Sequence, residues 1–278
     1  MKKILVIISL MLFTTSVEAK SVVLMIGDGM GTNHINCVAK DNDLFLEKLN
    51  PIAMVKTRSA DNVVTDSAAS ATTYSCGIKT NNYYLGTKPD GSKCETIAEK
   101  AVKNGKKVYI ISSDENTGAT PSAFYAHVSS RYDNNGINND RMNASKDMSI
   151  QLNVPSVHEA TQNLINALEQ EENEYFVMIE GAKIDKASHQ GDYNWMKEEL
   201  IDFDKAVHEM YDFVSTHDNV VLLVTADHET GGLNEECVYT KNNHTAADVY
   251  LYSYGISLVK NEVDNTEVNH LMDRVLFR

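Results

Sequence analysis

The chain has few basic residues, prolines and cysteines, and each of these shortages argues against a class of partner, domain arrangement or metal site. Its 25 Lys and Arg face 39 Asp and Glu, a net charge of −14, so nucleic acid and anionic membranes are poor partners. Only four prolines, with no repeats or Pro-rich linkers, favour a single large domain. No C-x-x-C pair argues for a zinc-thiolate site. The even number of cysteines allows one or two disulfides without indicating which residues pair: Cys37, Cys76, Cys94 and Cys237.

The first 19 residues differ from the rest. Two lysines precede an apolar run at residues 4–13, and small residues up to Ala19 offer a cleavage point. This pattern predicts a secretory signal peptide over residues 1–19 and one domain over residues 20–278, exported to the periplasm or the extracellular space. An uncleaved anchor is the alternative, although the run is too short to span a bilayer. No later apolar stretch approaches transmembrane length, so no stable membrane partner is expected.

Alternating strand-like and helix-like segments predict an α/β fold, a three-layer α/β/α arrangement around a central, mostly parallel sheet. The Asn- and Asp-rich segment 133–148 is predicted to be an exposed loop. The strands are expected at residues 21–26, 107–112, 175–179, 219–225 and 249–254, and the helices at residues 95–104, 157–172, 184–189 and 195–216.

Three of these apolar strands lead directly into a carboxylate, namely Asp28, Glu180 and Asp227. In open α/β sheets, ligands bind outside the carboxyl ends of the strands, where these side chains would crowd together. Crowded carboxylates repel each other and would have to protonate unless cations hold them. The hard oxygen donors of Glu180 and Thr120 suit magnesium.

Histidines accompany these carboxylates. Asp185 and His189 are four residues apart, so a helix would place both side chains on one face. His228 follows Asp227, and His244 comes shortly afterwards. This mixture of nitrogen and oxygen donors suits two zinc-like ions. A salt-bridged helix start explains Asp185 and His189 equally simply, and His244 could belong to a surface loop.

Ser67 is the candidate nucleophile. Asp66 and Ser67 precede small residues suited to a tightly packed helix, whose N-terminus would favour an anion. Zinc can deprotonate a serine hydroxyl, and two metals can clamp an in-line phosphoryl displacement. Arg131 is a natural bidentate ligand for phosphoryl oxygens. An ordinary helix cap at Asp66 or Ser67, and a structural salt bridge at Arg131, are the alternatives.

Five motifs, spread in family order over roughly residues 21–255, resemble those of the alkaline phosphatases. They are M-I-G-D-G-M-G at 25–31, T-D-S-A-A-S-A at 65–71, A-T-P at 119–121 with S-R at 130–131, I-E-G-A-K-I-D-K-x-x-H at 179–189 and T-A-D-H-E-T-G-G at 225–232.

The resemblance implies two zinc ions, one magnesium ion and a phosphoseryl intermediate on Ser67 that water then hydrolyses. It further implies that Asp66 positions Arg131. Lys186 stands where some relatives have Trp or His, and a lysine there could reach phosphate through water or be only a solvated surface residue. The implied ligands are Asp185, His189 and His244 for one zinc, Asp28, Asp227 and His228 for the other, and Asp28, Thr120 and Glu180 for magnesium.

Besides Lys186, the sequence departs from the family in two places. Gly118 precedes A-T-P where relatives often have Asp or His, which implies a looser magnesium site or a substitute such as Glu115. Only about a dozen residues separate Gly232 from His244, so the crown-like insert of larger relatives is expected to be missing. Family members are commonly dimers, and without the insert a homodimer is a weaker expectation.

The expected function is therefore hydrolysis of small phosphate monoesters with broad specificity, releasing inorganic phosphate. A phosphodiesterase or sulfatase of the same superfamily is one alternative, although sulfatases need a C/S-x-P-x-R setting that is absent and the diesterases typically use threonine. A non-catalytic exported protein that binds phosphate or metal is the other. The presence of Ser67 and Arg131 beside a full ligand set argues against it.

Overall fold

A computed structural model describes residues 21–258 and 260–278, so the predicted signal peptide lies outside the described residues. The strands are β1 (Ser21–Gly27), β2 (Ala53–Lys56), β3 (Lys107–Ser112), β4 (Ser149–Gln151), β5 (Tyr175–Gly181), β6 (Val220–Thr225), β7 (Glu229–Thr230), β8 (His244–Thr245), β9 (Val249–Tyr254) and β10 (Glu262–Asp264). The helices are α1 (Thr32–Ala39), α2 (Phe45–Lys48), α3 (Ser67–Cys76), α4 (Ile97–Lys103), α5 (Ala119–Ser122), α6 (Asn134–Ala144), α7 (Val157–Leu168), α8 (Lys183–Gln190), α9 (Tyr193–Ser215) and α10 (Thr266–Phe277).

Eight strands form the main sheet in the order β10-β2-β9-β6-β1-β5-β3-β4. Only β9 runs antiparallel to its neighbours in this sheet, as the prediction of a mostly parallel sheet requires. Every residue of β1, β5 and β6 is buried, because helices cover both faces of the sheet. The register pairs Ile26 of β1 with both Glu180 and Thr225, so the three strands end at the same level.

Helices pack in two groups, one on each face. Helices α7 and α9 cover one face, with α8 packed on α9, and α3, α4 and α10 pack together on the other. Helix α9 buries Leu200, Phe203 and Val207 completely, and each such side chain contributes about 1.5–3 kcal/mol by leaving water. The predicted three-layer α/β/α fold is therefore confirmed. Among the described residues, no helix is both long enough and apolar enough to cross a bilayer.

The prediction of an exposed loop at residues 133–148 is wrong, because residues 134–144 form helix α6. Its asparagines are poor helix formers, but tertiary contacts outweigh their propensity. Asp133 caps the helix by accepting a 3.0 Å hydrogen bond from the Gly136 amide. Ile137 is completely buried, and Asp140 accepts a 2.9 Å hydrogen bond from the His127 amide. These contacts fix a polar segment as a helix.

Two disulfides settle the pairing that the sequence left open. Cys37 of α1 joins Cys237 in the loop between β7 and β8, and Cys76 at the end of α3 joins Cys94 just before α4. The second bridge closes a loop of 18 residues, for which the loss of unfolded-state entropy corresponds to about 3 kcal/mol. The first ties the β7–β8 loop, close to His244, to the body of the fold.

Candidate active site and metal centre

The ends of β1, β5 and β6 bring three buried carboxylates together. Asp28 is 5% exposed, and Glu180 and Asp227 are completely buried. Asp227 accepts a 3.0 Å hydrogen bond from the Gly29 amide through Oδ1. Asp28 Oδ1 and Glu180 Oε1 have no hydrogen-bond partner among the described residues. Because an unpartnered buried acceptor is costly, this donor set fits a bound cation.

The negative charges of these buried carboxylates exceed the positive charge that the nearby side chains supply. Burial, followed by the charges of Asp227 and Asp185, raises the pKa of Asp28 well above its usual range. Burial and the charge of Asp114 raise the pKa of Glu180 to about 8. The pKa of Asp227 is low even though burial opposes this, because the His228 imidazolium stabilises its carboxylate. Divalent cations would keep all these carboxylates ionised.

His228 lies at the centre of the first ligand group. Its Nε2 atom is 3.2 Å from Ser67 Oγ, 3.1 Å from Asp227 Oδ2 and 3.6 Å from Asp28 Oδ1. Ligand atoms about 2.0 Å from a tetrahedral zinc lie roughly 3.3 Å from one another. The three contacts of His228 Nε2 are therefore close to the length expected between two ligands of one zinc ion.

The second group consists of Asp185, His189 and His244. His189 Nδ1 donates to the Asn242 carbonyl at 2.6 Å, and His244 Nδ1 donates to the Thr65 carbonyl at 2.9 Å. These acceptors assign the proton to Nδ1 in both neutral rings, so both Nε2 atoms present lone pairs. The two Nε2 atoms are 3.1 Å apart, and they lie 3.4 and 3.6 Å from Asp185 Oδ1. Facing lone pairs at this distance fit a cation between them.

The two groups adjoin each other. The His228 and His244 rings stack with their centroids 3.6 Å apart. Thr230 donates a 2.6 Å hydrogen bond to Asp185 Oδ1, and its hydroxyl is 3.2 Å from His228 Nδ1, so one side chain orients a ligand in each group. Two sets of ligand atoms each lie within 4.8 Å of one another, namely Asp28, Asp227 and His228, and Asp185, His228 and His244.

A third group surrounds Glu180. Thr120 is completely buried, and its hydroxyl lacks a hydrogen-bond partner among the described residues. Ser112, at the end of β3, hydrogen-bonds Glu180 Oε2 and accepts a 2.8 Å hydrogen bond from the Asp114 amide. Asp114 is 7% exposed and close enough for its charge to raise the pKa of Glu180. These oxygen donors fit magnesium.

Asp114 is a site residue that the sequence reasoning misses, although the sequence contains a signal for it. It follows the apolar strand β3 by two residues, just as Asp28 follows β1 closely. A Cβ atom at Gly118 would lie only 2.2 Å from Asp114 Oδ2, so the Asp114 carboxylate fills the space of a side chain at position 118. The expected substitute, Glu115, is exposed. Lys186 pairs its ammonium with Asp114 Oδ1.

Ser67 begins helix α3, and Asp66 is its N-cap. Asp66 Oδ1 accepts hydrogen bonds from the Ala69 amide at 3.0 Å and the Tyr83 amide at 3.1 Å. Its other oxygen, Oδ2, accepts a 3.0 Å hydrogen bond from Arg131 Nη1. Burial would lower the pKa of Arg131, but the Asp66 carboxylate outweighs it and raises that pKa. The cap and the ion pair, two alternatives from the sequence, therefore exist together.

A cavity of about 470 Å³ opens over Ser67. Its lining includes candidate site residues and two tyrosines at the rim, namely Ser67, Asp66, Arg131, His244, Tyr83 and Tyr132. Lys186 is not among the residues that line this cavity. The wall of the cavity therefore carries a serine hydroxyl, a helix N-terminus, a guanidinium and candidate metal-ligand atoms, which together suit a phosphoryl group.

The chain matches the family model described as alkaline phosphatase over residues 19–153 and 141–241. Alkaline phosphatase 3 of Bacillus subtilis is 28% identical over 286 residues, which cover 77% of this chain and 62% of that protein. Alkaline phosphatase 4 of the same organism is 26% identical over 299 residues, which cover 82% of this chain and 65% of that protein. The chain thus spans less than two thirds of the length of these curated relatives.

Solved structures show the same fold. The alkaline phosphatase of the Antarctic bacterium TAB5 superposes with a TM-score of 0.82 at 25% identity, covering 93% of this chain and 98% of that one. A mutant of the TAB5 enzyme, solved with magnesium bound, superposes with the same TM-score of 0.82 at 24% identity.

Proposed function

The chain belongs to the alkaline phosphatase family, and from this we propose that it hydrolyses phosphate monoesters of small molecules. The reaction would pass through a phosphoseryl intermediate on Ser67 and release inorganic phosphate, with broad specificity for the alcohol. The observation that carries the proposal is the position of Ser67. Its Oγ is 3.2 Å from His228 Nε2, inside a ligand group, and it shares one cavity with Arg131.

We further propose two zinc ions and one magnesium ion as cofactors. Divalent cations in these sites would supply the charge that lowers the pKa of the Ser67 hydroxyl and stabilises the leaving oxygen. The spacing of the histidine and carboxylate atoms supports zinc, and the buried oxygen donors support magnesium. The proposed ligands are Asp185, His189 and His244 for one zinc, Asp28, Asp227 and His228 for the other, and Asp28, Thr120 and Glu180, with Asp114 nearby, for magnesium.

The side chains of the cavity suggest how the two steps proceed. Ser67 Oγ loses its proton to solvent and attacks phosphorus, the bond from phosphorus to the alcohol oxygen breaks, and that oxygen takes a proton from solvent to leave as the alcohol. The Arg131 guanidinium and the free amides at the start of α3 hold the equatorial phosphoryl oxygens. Water then attacks the phosphoseryl group from the side the alcohol left, which restores the Ser67 hydroxyl and releases phosphate.

We also propose that residues 1–19 direct export and that residues 20–278 act as one catalytic domain outside the cytoplasm. The two disulfides support this location, because such bonds form and persist mainly in oxidising compartments. A homodimer stays a proposal that rests on the family alone.

A panel of three p-nitrophenyl esters tests the proposed activity: the phosphate monoester, the bis-ester of phosphate and the sulfate. The zinc- and magnesium-loaded protein should cleave the monoester at alkaline pH far faster than the others. Ser67→Ala should lose nearly all of this turnover but still bind inorganic phosphate. Preferred cleavage of the diester or the sulfate would identify a different hydrolase, and phosphate binding without turnover by the wild type would identify a binding protein.

A further inference from the structure

Two exposed tyrosines stand at the mouth of the cavity over Ser67. Tyr83 is 51% exposed and Tyr132 is 74% exposed, and both line the cavity. Their ring centroids are 5.9 Å apart and their planes are inclined by 34°, so they form one aromatic surface. Large aromatic side chains that are exposed to this extent at the rim of a polar cavity are typical of a surface that contacts a ligand.

The backbone of Tyr83 is strained. Its φ is +73°, in the left-handed region that glycine adopts freely and a tyrosine does not. Strain of this kind persists where surrounding contacts impose it, and it concentrates at functional sites. A glycine here would remove the strain and also the ring. The presence of tyrosine at this position therefore indicates a use for the ring.

Contacts to the catalytic residues hold Tyr83 in place. Its amide donates to Asp66 Oδ1 at 3.1 Å, and its carbonyl accepts a 2.7 Å hydrogen bond from the Arg131 amide. Just beyond, Leu85 and Val128 pair through two backbone hydrogen bonds of 2.9 and 3.0 Å. Tyr83 is thus fixed to the residue that caps the Ser67 helix, and Tyr132 follows Arg131 directly. The backbones of both tyrosines are therefore tied to residues proposed to act on the phosphoryl group.

A polar side chain beside them is already engaged. Asn82 Oδ1 accepts a 3.2 Å hydrogen bond from the Asp66 amide, and its Nδ2 donates to the Val64 carbonyl at 3.0 Å. These two hydrogen bonds to the backbone hold the Asn82 side chain in place beside the two rings. The aromatic faces are an exposed surface offered to the part of the ester that projects out of the cavity.

We propose that Tyr83 and Tyr132 bind the aromatic group of the substrate alcohol by stacking, so that the enzyme favours monoesters carrying a nucleobase or an aryl ring. Stacking on aromatic side chains accepts any π-face, so the preference should not depend on which base is present. This inference rests on the proposed monoesterase activity and adds the substrate class to it.

Matched pairs of alkyl phosphates test the proposal without changing the reacting oxygen. Adenosine 5′-monophosphate is compared with ribose 5-phosphate, and benzyl phosphate with cyclohexylmethyl phosphate. The ratio of kcat/KM within each pair should favour the aromatic ester by about tenfold in the wild type. Tyr83→Ala with Tyr132→Ala should abolish that ratio, mainly through KM, and the double Phe variant should keep it. Met142→Ala, which removes an exposed apolar side chain that does not line this cavity, is the control.

The outcomes separate this inference from the proposed function. If the wild type cleaves both members of each pair equally well, or if the double Ala variant keeps the ratio, the stacking surface is wrong but the monoesterase stands. A preference only in the nucleotide pair identifies the nucleobase as the ligand, and one only in the benzyl pair identifies a short aryl group. If no monoester is cleaved, the proposed function fails, and calorimetry of Ser67→Ala with adenosine 5′-monophosphate against ribose 5-phosphate still tests stacking. If the double Ala variant changes the mass of the oligomer but keeps the ratio of kcat/KM within each pair, the tyrosines belong to a subunit contact instead.

Discussion

Asp66 contacts Arg131 through one carboxylate oxygen and caps the Ser67 helix through the other. Oδ2 accepts the 3.0 Å hydrogen bond from Arg131 Nη1, and Oδ1 accepts the Ala69 amide at 3.0 Å. A single side chain thus links the start of the helix that carries the proposed nucleophile to the guanidinium proposed to bind phosphate. The two contacts can be separated by mutation.

Asp66→Asn should keep the cap and lose the ion pair, because an amide oxygen still accepts from Ala69 while no charge faces Arg131. We expect KM for p-nitrophenyl phosphate to rise by about ten- to 150-fold, in line with the roughly 1.5–3 kcal/mol typical of a hydrogen bond to a charged group. Asp66→Ala should show a similar KM and a further loss of about 1 kcal/mol in the free energy of unfolding, because the cap is gone. Equal KM values for the Asp66→Asn variant and the wild type would contradict this role of Asp66.

Asp114 should support the magnesium site in place of a side chain at position 118. Asp114→Asn should reduce the rise in Tm that magnesium gives to the zinc-loaded protein, and Glu115→Gln, an exposed neighbour, should not. Gly118→Asp should destabilise the protein by about 1–3 kcal/mol, because the new side chain overlaps Asp114. Combining Gly118→Asp with Asp114→Gly should restore stability and the magnesium response. If the double variant is no better than Gly118→Asp alone, the two positions do not share one space.

Most of this site follows from a simple rule of the fold. Apolar strands that end in Asp28, Glu180 and Asp227 converge because parallel strands of one sheet end at one edge. Asp114 obeys the same rule but escapes prediction. The turn at residues 113–118 brings it against Gly118 and close enough to act on Glu180, and the sequence does not show that turn. Helix α6 and the disulfide pairs depend on contacts between distant segments, so local propensity could not reveal them.

The ion pair of His127 and Glu99, away from the site, should make stability depend on pH. Burial opposes both charges, but their hydrogen bond and charge interaction raise the pKa of His127 above 6.5 and help to lower that of Glu99 below 4.5. The His127 contribution is complete below pH 6.5 and is lost as pH rises through its folded pKa. The Glu99 contribution is complete above pH 4.5 and is lost as pH falls through its folded pKa.

Glu99→Gln should therefore cost the most near pH 5.5, where both groups are charged, and little at pH 9. We expect a difference between the two pH values of roughly 0.5–1 kcal/mol in the free energy of unfolding, given that Glu99 is partly exposed. Urea unfolding of wild type and variant at both pH values, with the metal content held constant, measures it. Glu95→Gln, which removes an exposed partner of Lys103, is the control and should change little at either pH. A larger loss at pH 9 than at pH 5.5 would contradict the ion pair.

The most direct test of the central claim is to trap the phosphoryl group on Ser67. The zinc- and magnesium-loaded protein is mixed with excess p-nitrophenyl phosphate, quenched in acid and analysed by mass spectrometry of its peptides. We predict one added phosphoryl group on the peptide containing Ser67, located on that residue. It should be absent after EDTA treatment, restored by zinc and missing in Ser67→Ala. Two results would contradict Ser67 as the nucleophile. One is steady turnover of the ester by the wild type with no phosphoserine at Ser67 under any quench, and the other is undiminished turnover by Ser67→Ala.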